Sequence, residues 1–200
     1  MEFKKTALSL PEGIIPEGVT SLKHAMFIGR DDLQSVTLPY GLQTIGVAAF
    51  KDCKSLVTVK IPDTVTSIED FAFAGCQKLK TLVIPKGVIH IGDGAFSDCT
   101  SLKSISIPDT VTSLGASAFL CCSELSRITL GKRLRKINAH TVSGCEKLES
   151  ITVPEGVTDI CKKAFYGCKN LKNVTLPDSL RTVEEMAFAH CPVAEIPELG

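Results

Sequence analysis

The stretch "AFAGCQKL" at residues 72–79 returns as "AFSDCTSL" at 95–102 and as "AFYGCKNL" at 164–171. Around these segments a leucine recurs every 23 residues without insertion, at Leu33, Leu56, Leu79, Leu102, Leu125, Leu148 and Leu171. The shared pattern is L-x-x-[IVL]-x-[ILV]-P-x-x-[VL]-x-x-[IVL]-x-x-x-A-F-x-x-C-x-x, and a looser copy begins at Leu10. A fixed period of this length indicates a repeat architecture.

Each unit carries signals for strands and turns. "LKSISIP" at 102–108 alternates apolar and polar residues, as expected of a strand with one buried face. The proline ends that strand because it has no N–H to donate. A second extended stretch follows, such as "TVTSIED" at 64–70, and the "AF" pair is predicted to form a tight turn or a short 3₁₀ segment.

One unit cannot bury its own apolar side chains, whereas stacked units can cover one another. A buried Leu, Ile or Phe contributes about 1.5–3 kcal/mol, so both faces of a unit need a neighbour. The sequence therefore predicts a β-rich solenoid of about eight 23-residue coils forming a single domain, 1–200. Its predicted parts are an irregular N-terminal repeat (1–32), seven regular repeats (33–192) and a truncated end (193–200).

The recurring I-P-x-x-V-x-x-I core followed by A-F-x-x-C resembles the BspA-like (treponemal) class of leucine-rich repeat proteins, from Leu10 to Cys191. The resemblance implies a right-handed solenoid with a parallel sheet on its concave face and short extended or 3₁₀ segments opposite. It also implies a cell-surface or secreted protein that acts in adhesion and partner binding. The opening "MEFKKTALSLPEGIIP" lacks the apolar region of a secretory signal, so a cytoplasmic location is the alternative.

Seven cysteines share one repeat position, which in a solenoid makes a column: Cys53, Cys76, Cys99, Cys122, Cys145, Cys168 and Cys191. Parallel side chains at the coil spacing are unsuited to disulfides, and a column does not converge on a metal as tetrahedral ligands must. We therefore predict a buried ladder of thiols that act as small apolar groups. Cys121 and Cys161 lie off the column and are predicted to be the most accessible thiols.

Composition and motifs argue against several functions. The 22 basic and 22 acidic residues balance, which predicts no nucleic-acid partner, and no apolar run is long enough to span a bilayer. The four histidines fall at four different repeat positions, and no nucleophile elbow, phosphate loop or H-E-x-x-H motif occurs. The sequence thus predicts a protein that is not an enzyme and needs no cofactor or metal.

The candidate binding surface is the row of outward side chains on the first strand of each unit. Solenoid curvature provides an extended surface there, and a partner protein or a glycan could use its hydroxyl groups. Exposed strand positions also favour Ser and Thr without any ligand. The predicted binding residues are Ser35, Thr37, Thr58, Lys60, Thr81, Ser104, Ser106, Arg127, Thr129, Ser150, Thr152, Asn173 and Thr175.

The unit at 125–147 departs from the pattern, since Gly131 replaces proline, Thr141 replaces alanine and Val142 replaces phenylalanine. It also carries a predicted basic patch. This patch is either a site for an anion or acidic partner or a solvated edge. Its residues are Lys132, Arg133, Arg135 and Lys136.

Two functions follow from these observations. The first is a noncatalytic binding module that recognises a macromolecule through the strand surface. The alternative is a structural spacer, or a fragment of a longer repeat array, without its own ligand. Exposed coil ends predict end-to-end self-association in either case, because terminal repeats normally need a polar cap.

Overall fold

Two short strands recur in each of the seven coils from residue 33 onward in the computed structural model, which describes residues 15–193; the coil before them contributes only an isolated bridge from Ser21 to Thr44. Within that range no helix is found. The first strand of each of these coils has two or three residues, and the side chain of its second residue points inward. The other strand of the coil has two residues, and the side chain of its second residue also points inward. In chain order the strands are β1 (Ser35–Thr37), β2 (Thr44–Ile45), β3 (Thr58–Lys60), β4 (Ser67–Ile68), β5 (Thr81–Leu82), β6 (His90–Ile91), β7 (Ser104–Ser106), β8 (Ser113–Leu114), β9 (Arg127–Thr129), β10 (Lys136–Ile137), β11 (Ser150–Thr152), β12 (Asp159–Ile160), β13 (Asn173–Thr175) and β14 (Thr182–Val183).

The strands pair in parallel, and every pair joins residues that lie 23 positions apart, as Val36 with Val59 and Ile45 with Ile68. First strands form the groups β1-β3-β5, β7-β9 and β11-β13, and second strands form β2-β4-β6-β8 and β10-β12-β14. The predicted parallel-sheet solenoid is therefore confirmed. The short segments opposite the first strands form parallel ladders of their own.

The "AF" segment is a turn that forms a third ladder of backbone hydrogen bonds. Ala48, Phe50 and Asp52 donate their N–H groups to carbonyls of the next coil at 2.7–2.8 Å. Two residues per coil adopt positive φ in this segment, among them Phe71 at 55° and Asp98 at 57°. A bulky residue such as Phe71 is strained in this region, which shows that the inter-coil ladder determines the backbone conformation there.

The core lies between the ladders and runs the length of the described residues. The repeat leucines are at most 2% exposed, and the aliphatic residues of both strands pack against them. The phenylalanines form a stack in which Phe27, Phe50, Phe73, Phe96 and Phe119 follow one another with ring centroids 5.1–5.5 Å apart. A second stack joins Phe165 and Phe188 at 4.9 Å.

The two stacks are separated by the unit at 125–147, where buried Val142 occupies the phenylalanine position. The subdivision of the domain into an irregular start, seven regular repeats and a truncated end stays a prediction. Residues 1–14 and 194–200 of that scheme lie outside the described residues.

Candidate functional site

The surface formed by the outward side chains of the first strands, called here the strand face, is exposed along its length. Each first strand alternates an exposed residue with an inward one, so the register brings exposed side chains of successive coils into two columns. All thirteen predicted binding residues lie in these columns and are exposed. Their role in binding stays a prediction.

Three grooves lie along the strand face. The first, of about 610 Å³, is lined by side chains of β1 and β3 together with Pro39 and Tyr40. The second, of about 600 Å³, spans β9, β11 and β13, and the third, of about 510 Å³, is lined by Val83, Lys86 and Ser106 among others. Each groove includes the residues that follow the first strand, so the candidate site extends from the strands onto the proline-containing segment beside them.

Two exposed apolar side chains on this surface were missed as candidate residues. Tyr40 follows Pro39 and is 76% exposed, and Val83 follows Leu82 at an outward position and is 79% exposed. Both line grooves. The signal was available in the sequence, because Val83 stands where other coils carry Thr, Ser or Lys, and Tyr40 stands where they carry charged residues.

The predicted basic patch does not act as one cluster. All four cations are exposed, but Lys132 lines the second groove, whereas Lys136 belongs to β10 on the other sheet. The Arg135 guanidinium donates to the carbonyl of Gly156 at 3.4 Å. The backbone N–H of Lys132 donates to Asp109 at 3.0 Å.

Acidic neighbours reduce the charge of this patch further. The offset of 23 residues places Lys132 between Asp109 and Glu155 of the adjoining coils, and Lys136 is paired in register with Asp159. Of the four predicted cations, Lys132 alone lines a groove, where it is joined by Arg127.

The column cysteines are free thiols, and they donate hydrogen bonds as well as filling space. Each Sγ lies 3.0–3.3 Å from the carbonyl oxygen of the residue 26 positions earlier, which is phenylalanine except for Val142 below Cys168. Burial raises the pKa of Cys53 to about 11 and that of Cys76, Cys99, Cys122 and Cys145 well above the usual value. Protonated, weakly nucleophilic thiols are the expected result.

The predictions for the two cysteines off the column had different outcomes. Cys121 is exposed, as predicted. The prediction for Cys161 is wrong, because its side chain is only 8% exposed. Cys161 follows Ile160 directly and takes a position where three other coils have glycine, so the preceding coil approaches too closely to leave this thiol accessible.

The described residues show no sign of a metal centre or membrane span. No group of three or more His, Cys, Asp or Glu side chains within 15–193 could hold a metal ion. In the same range no helix has the length and apolar character to cross a bilayer.

Residues 2–99 and 66–195 match the family described as BspA type leucine rich repeat region, in six copies. The chain belongs to this family. The six matched copies are fewer than the eight predicted coils. No curated protein matches the chain.

Solved leucine-rich repeat structures from bacteria are similar to this BspA-type protein. A leucine-rich repeat protein of Bacteroides ovatus is 33% identical with a TM-score of 0.86, over 90% of this chain and 47% of its own. A leucine-rich cell surface protein of Faecalibacterium prausnitzii is 28% identical with a TM-score of 0.57, over 90% of this chain and 63% of its own. The leucine-rich repeat protein of Treponema pallidum is 28% identical with a TM-score of 0.68, over 94% of this chain and 77% of its own. The chain thus spans about half the length of the first and less than two thirds of the second.

Proposed function

We propose that the chain is a noncatalytic binding module that recognises a macromolecular partner, most simply a protein, through the strand face. The observation that carries this proposal is the coincidence of exposed strand columns with three grooves of about 510–610 Å³ on one surface. First strands paired within three groups, together with a turn ladder that continues from coil to coil, give a preformed surface, so binding loses little conformational entropy.

A surface location fits this function. The Faecalibacterium prausnitzii relative is a cell surface protein, and a rigid array of coils suits adhesion between a cell and a macromolecule. We extend that location to this chain as part of the proposal.

The alternative is a spacer within a longer repeat array. It is supported by the Bacteroides ovatus relative, in which the matched region covers only 47% of the protein. End-to-end contact between coils stays a prediction of both proposals. In the last described coil Val174 and Val183 are only half-buried, while Ile151 and Ile160 of the coil before it are buried.

The test separates the two surfaces of the solenoid with matched variants. A library of displayed protein fragments is first selected on the wild-type chain, and the affinity of the best binder is then measured by calorimetry. Thr129→Tyr and Thr152→Tyr change exposed positions of the strand face, while Ser113→Tyr and Thr182→Tyr change exposed positions of the second-strand ladders. Tyrosine is favoured at exposed strand positions, so all four variants should fold.

We expect the strand-face variants to lose at least tenfold in affinity and the second-strand variants less than twofold. The reverse pattern would place binding on the other surface and contradict the proposal. If no fragment in the library binds saturably at a single site, the result favours the alternative function of a spacer without its own ligand.

A further inference from the structure

We propose that the second groove of the strand face, called here the Arg127 groove, binds an acidic peptide segment of a partner protein. It has a volume of about 600 Å³ and is lined by Arg127, Thr129, Lys132, Thr152 and Thr175, among others. Arg127 and Lys132 anchor the carboxylates of the peptide. This inference rests on the proposed function of the strand face and specifies the partner's chemistry.

Two cations in the Arg127 groove are available to a ligand. The side chains of Arg127 and Lys132 are exposed and make no ion pair or hydrogen bond with other residues in the described range 15–193. Lysines on other surfaces are already paired, as Lys147 with Glu124 at 2.7 Å and Lys169 with Glu146 at 2.6 Å.

The charge balance of the groove favours an anion. Glu155 is its one acidic lining residue, against the two cations. Arg127 is the only arginine among the outward residues of the seven first strands described, and a guanidinium can hold a carboxylate through two parallel hydrogen bonds. Of the four cations in the predicted basic patch, only Lys132 lines this groove; Arg127, five positions before it in the sequence, was predicted as part of the strand face.

A column of hydroxyl groups runs beside the cations. Thr129, Thr152 and Thr175 occupy the same repeat position, and the last two are paired in register. All three are exposed, and their hydroxyls make no hydrogen bond to other residues within 15–193. Each hydroxyl can donate to a carboxylate or accept from a peptide N–H.

The rest of the lining favours a peptide over a sugar. Pro154 and Leu176 contribute half-buried apolar surface, while Ile128, Leu130 and Val153 also line the groove but are only 2–6% exposed, and no aromatic side chain lines it. A peptide can place an apolar side chain against this lining next to an Asp or Glu that reaches Arg127. A glycan would offer hydroxyl groups with little apolar surface to cover Pro154 and Leu176.

A random heptapeptide library displayed on phage tests the proposal. It is selected in parallel on the wild-type chain and on the double variant Arg127→Glu/Lys132→Glu. We expect Asp and Glu beside apolar residues to be enriched on the wild type and Lys and Arg to replace them on the variant. No acidic enrichment, or the same sequences on both proteins, would overturn the proposal.

The most enriched heptapeptide is then synthesised and titrated by calorimetry. Arg127→Gln should weaken its binding at least tenfold, and the Asn or Gln counterpart of the peptide should lose as much. Arg133→Gln is the matched control, because Arg133 is exposed in the same coil but does not line the groove, and it should change affinity less than twofold. If both variants weaken peptide binding equally, the peptide is held by general charge attraction, and the assignment of its site to the Arg127 groove is wrong.

Polygalacturonate, a polymer of acidic sugars, serves as the competing probe. If it binds in an Arg127-dependent manner and the peptide does not, the groove is specific for an anionic glycan and the proposal is wrong. The wider function is tested separately: if Thr152→Tyr abolishes binding of the selected protein fragment while Arg127→Gln has no effect, the strand face stands and the acidic-peptide assignment falls.

Discussion

The coils between Phe27 and Phe119 and the aberrant coil at 125–147 fill the same core position with different side chains. The regular coils stack a phenylalanine ring on the ring of the coil before, with centroids 5.1–5.5 Å apart. The aberrant coil inserts the smaller Val142, which is fully buried and separates the two ring stacks. Second-strand pairing is also interrupted where this coil begins, since β8 does not pair with β10, whereas breaks between first strands occur both here, between β9 and β11, and between β5 and β7 of regular coils.

Side-chain hydrogen bonds compensate for the lost backbone pairing in the aberrant coil. In regular coils a backbone N–H at this position donates to the coil before, as from Gly115 to Ile91 at 2.8 Å. In the aberrant coil the Asn138 side-chain amide donates to the carbonyl of Leu114 at 2.7 Å instead. Buried Thr141 donates its hydroxyl to the carbonyl of Asn138 at 2.7 Å.

The comparison shows which contacts a solenoid of this kind can replace. Cys145 donates to the carbonyl of Phe119 just as the cysteines of regular coils do, and the turn ladder also continues through Val142. The cysteine column and the turn ladder are thus shared by both regions, while ring stacking and second-strand pairing with the preceding coil are not, although β10 still pairs with β12 of the next coil. Three measurements can test this division.

The largest expected effect concerns the shared feature, the cysteine column, at alkaline pH. Burial raises the pKa of five column thiols above the usual value, and the neighbouring Cys191 thiol together with burial raises that of a sixth, Cys168. The unfolded chain loses these protons above about pH 8.5, while the folded chain keeps them. The free energy of unfolding should therefore be constant below that pH and fall above it, by about 1.4 kcal/mol per pH unit for each thiol.

Urea unfolding at pH 8 and pH 10 measures this loss. Cys99→Ala and Cys145→Ala, from a regular and the aberrant coil, should each reduce the pH dependence by a similar amount. Cys121→Ala is the control, because Cys121 is exposed and should change it less. A Cys145 variant without effect would show that the column is not equivalent in the two regions.

The next effect concerns the ring stack. Phe96→Ala removes a fully buried ring between two stacked neighbours and should lower the free energy of unfolding by about 3–5 kcal/mol. Val142→Ala removes two methyl groups from the equivalent position and should cost roughly 1–2 kcal/mol, since each buried carbon contributes about 0.8 kcal/mol. Both losses can be calculated from the shift of the urea midpoint if the slope of the unfolding free energy against urea concentration is unchanged. Equal losses would mean that the ring stack adds nothing beyond the packing that Val142 already provides.

The sequence predicts the regular coils better than the aberrant one for a physical reason. Period and alternation determine which side chains of a regular coil face inward, so the repeat leucines, the phenylalanines and the column cysteines could all be placed from spacing alone. The hydrogen bond from the Asn138 side chain to the Leu114 carbonyl could not be predicted in this way, because it depends on how closely two backbones approach where the second-strand ladder breaks. The burial of Cys161 was missed for the same reason.

The candidate site shows the same limit. The thirteen exposed strand residues follow from alternation, but the grooves also include side chains that follow the first strand, such as Tyr40 and Lys132, which share one repeat position and were not considered as part of the strand face. The basic patch was defined by adjacency in sequence, whereas the register places Lys132 with Arg127 on one surface and Lys136 on another.

The smallest expected effect tests whether the hydrogen bond from the Asn138 side chain stabilises the aberrant coil as much as the backbone hydrogen bond that it replaces. Asn138→Ala leaves the carbonyl of Leu114 without its donor at a half-buried position, which should cost about 1–3 kcal/mol. Asn170→Ala is a matched control, because Asn170 donates the same amide to the carbonyl of Glu146 at 2.9 Å across the same sequence separation, but at an exposed position. Water can satisfy the carbonyl of Glu146 after the change, so this variant should lose at most about 1 kcal/mol.

Hydrogen exchange of the amides in β8 and β10 locates the effect. Faster exchange there in Asn138→Ala alone supports the view that this side chain replaces a backbone bond. Equal losses of stability in the two variants would show that the aberrant coil is held by its apolar core and not by this bond.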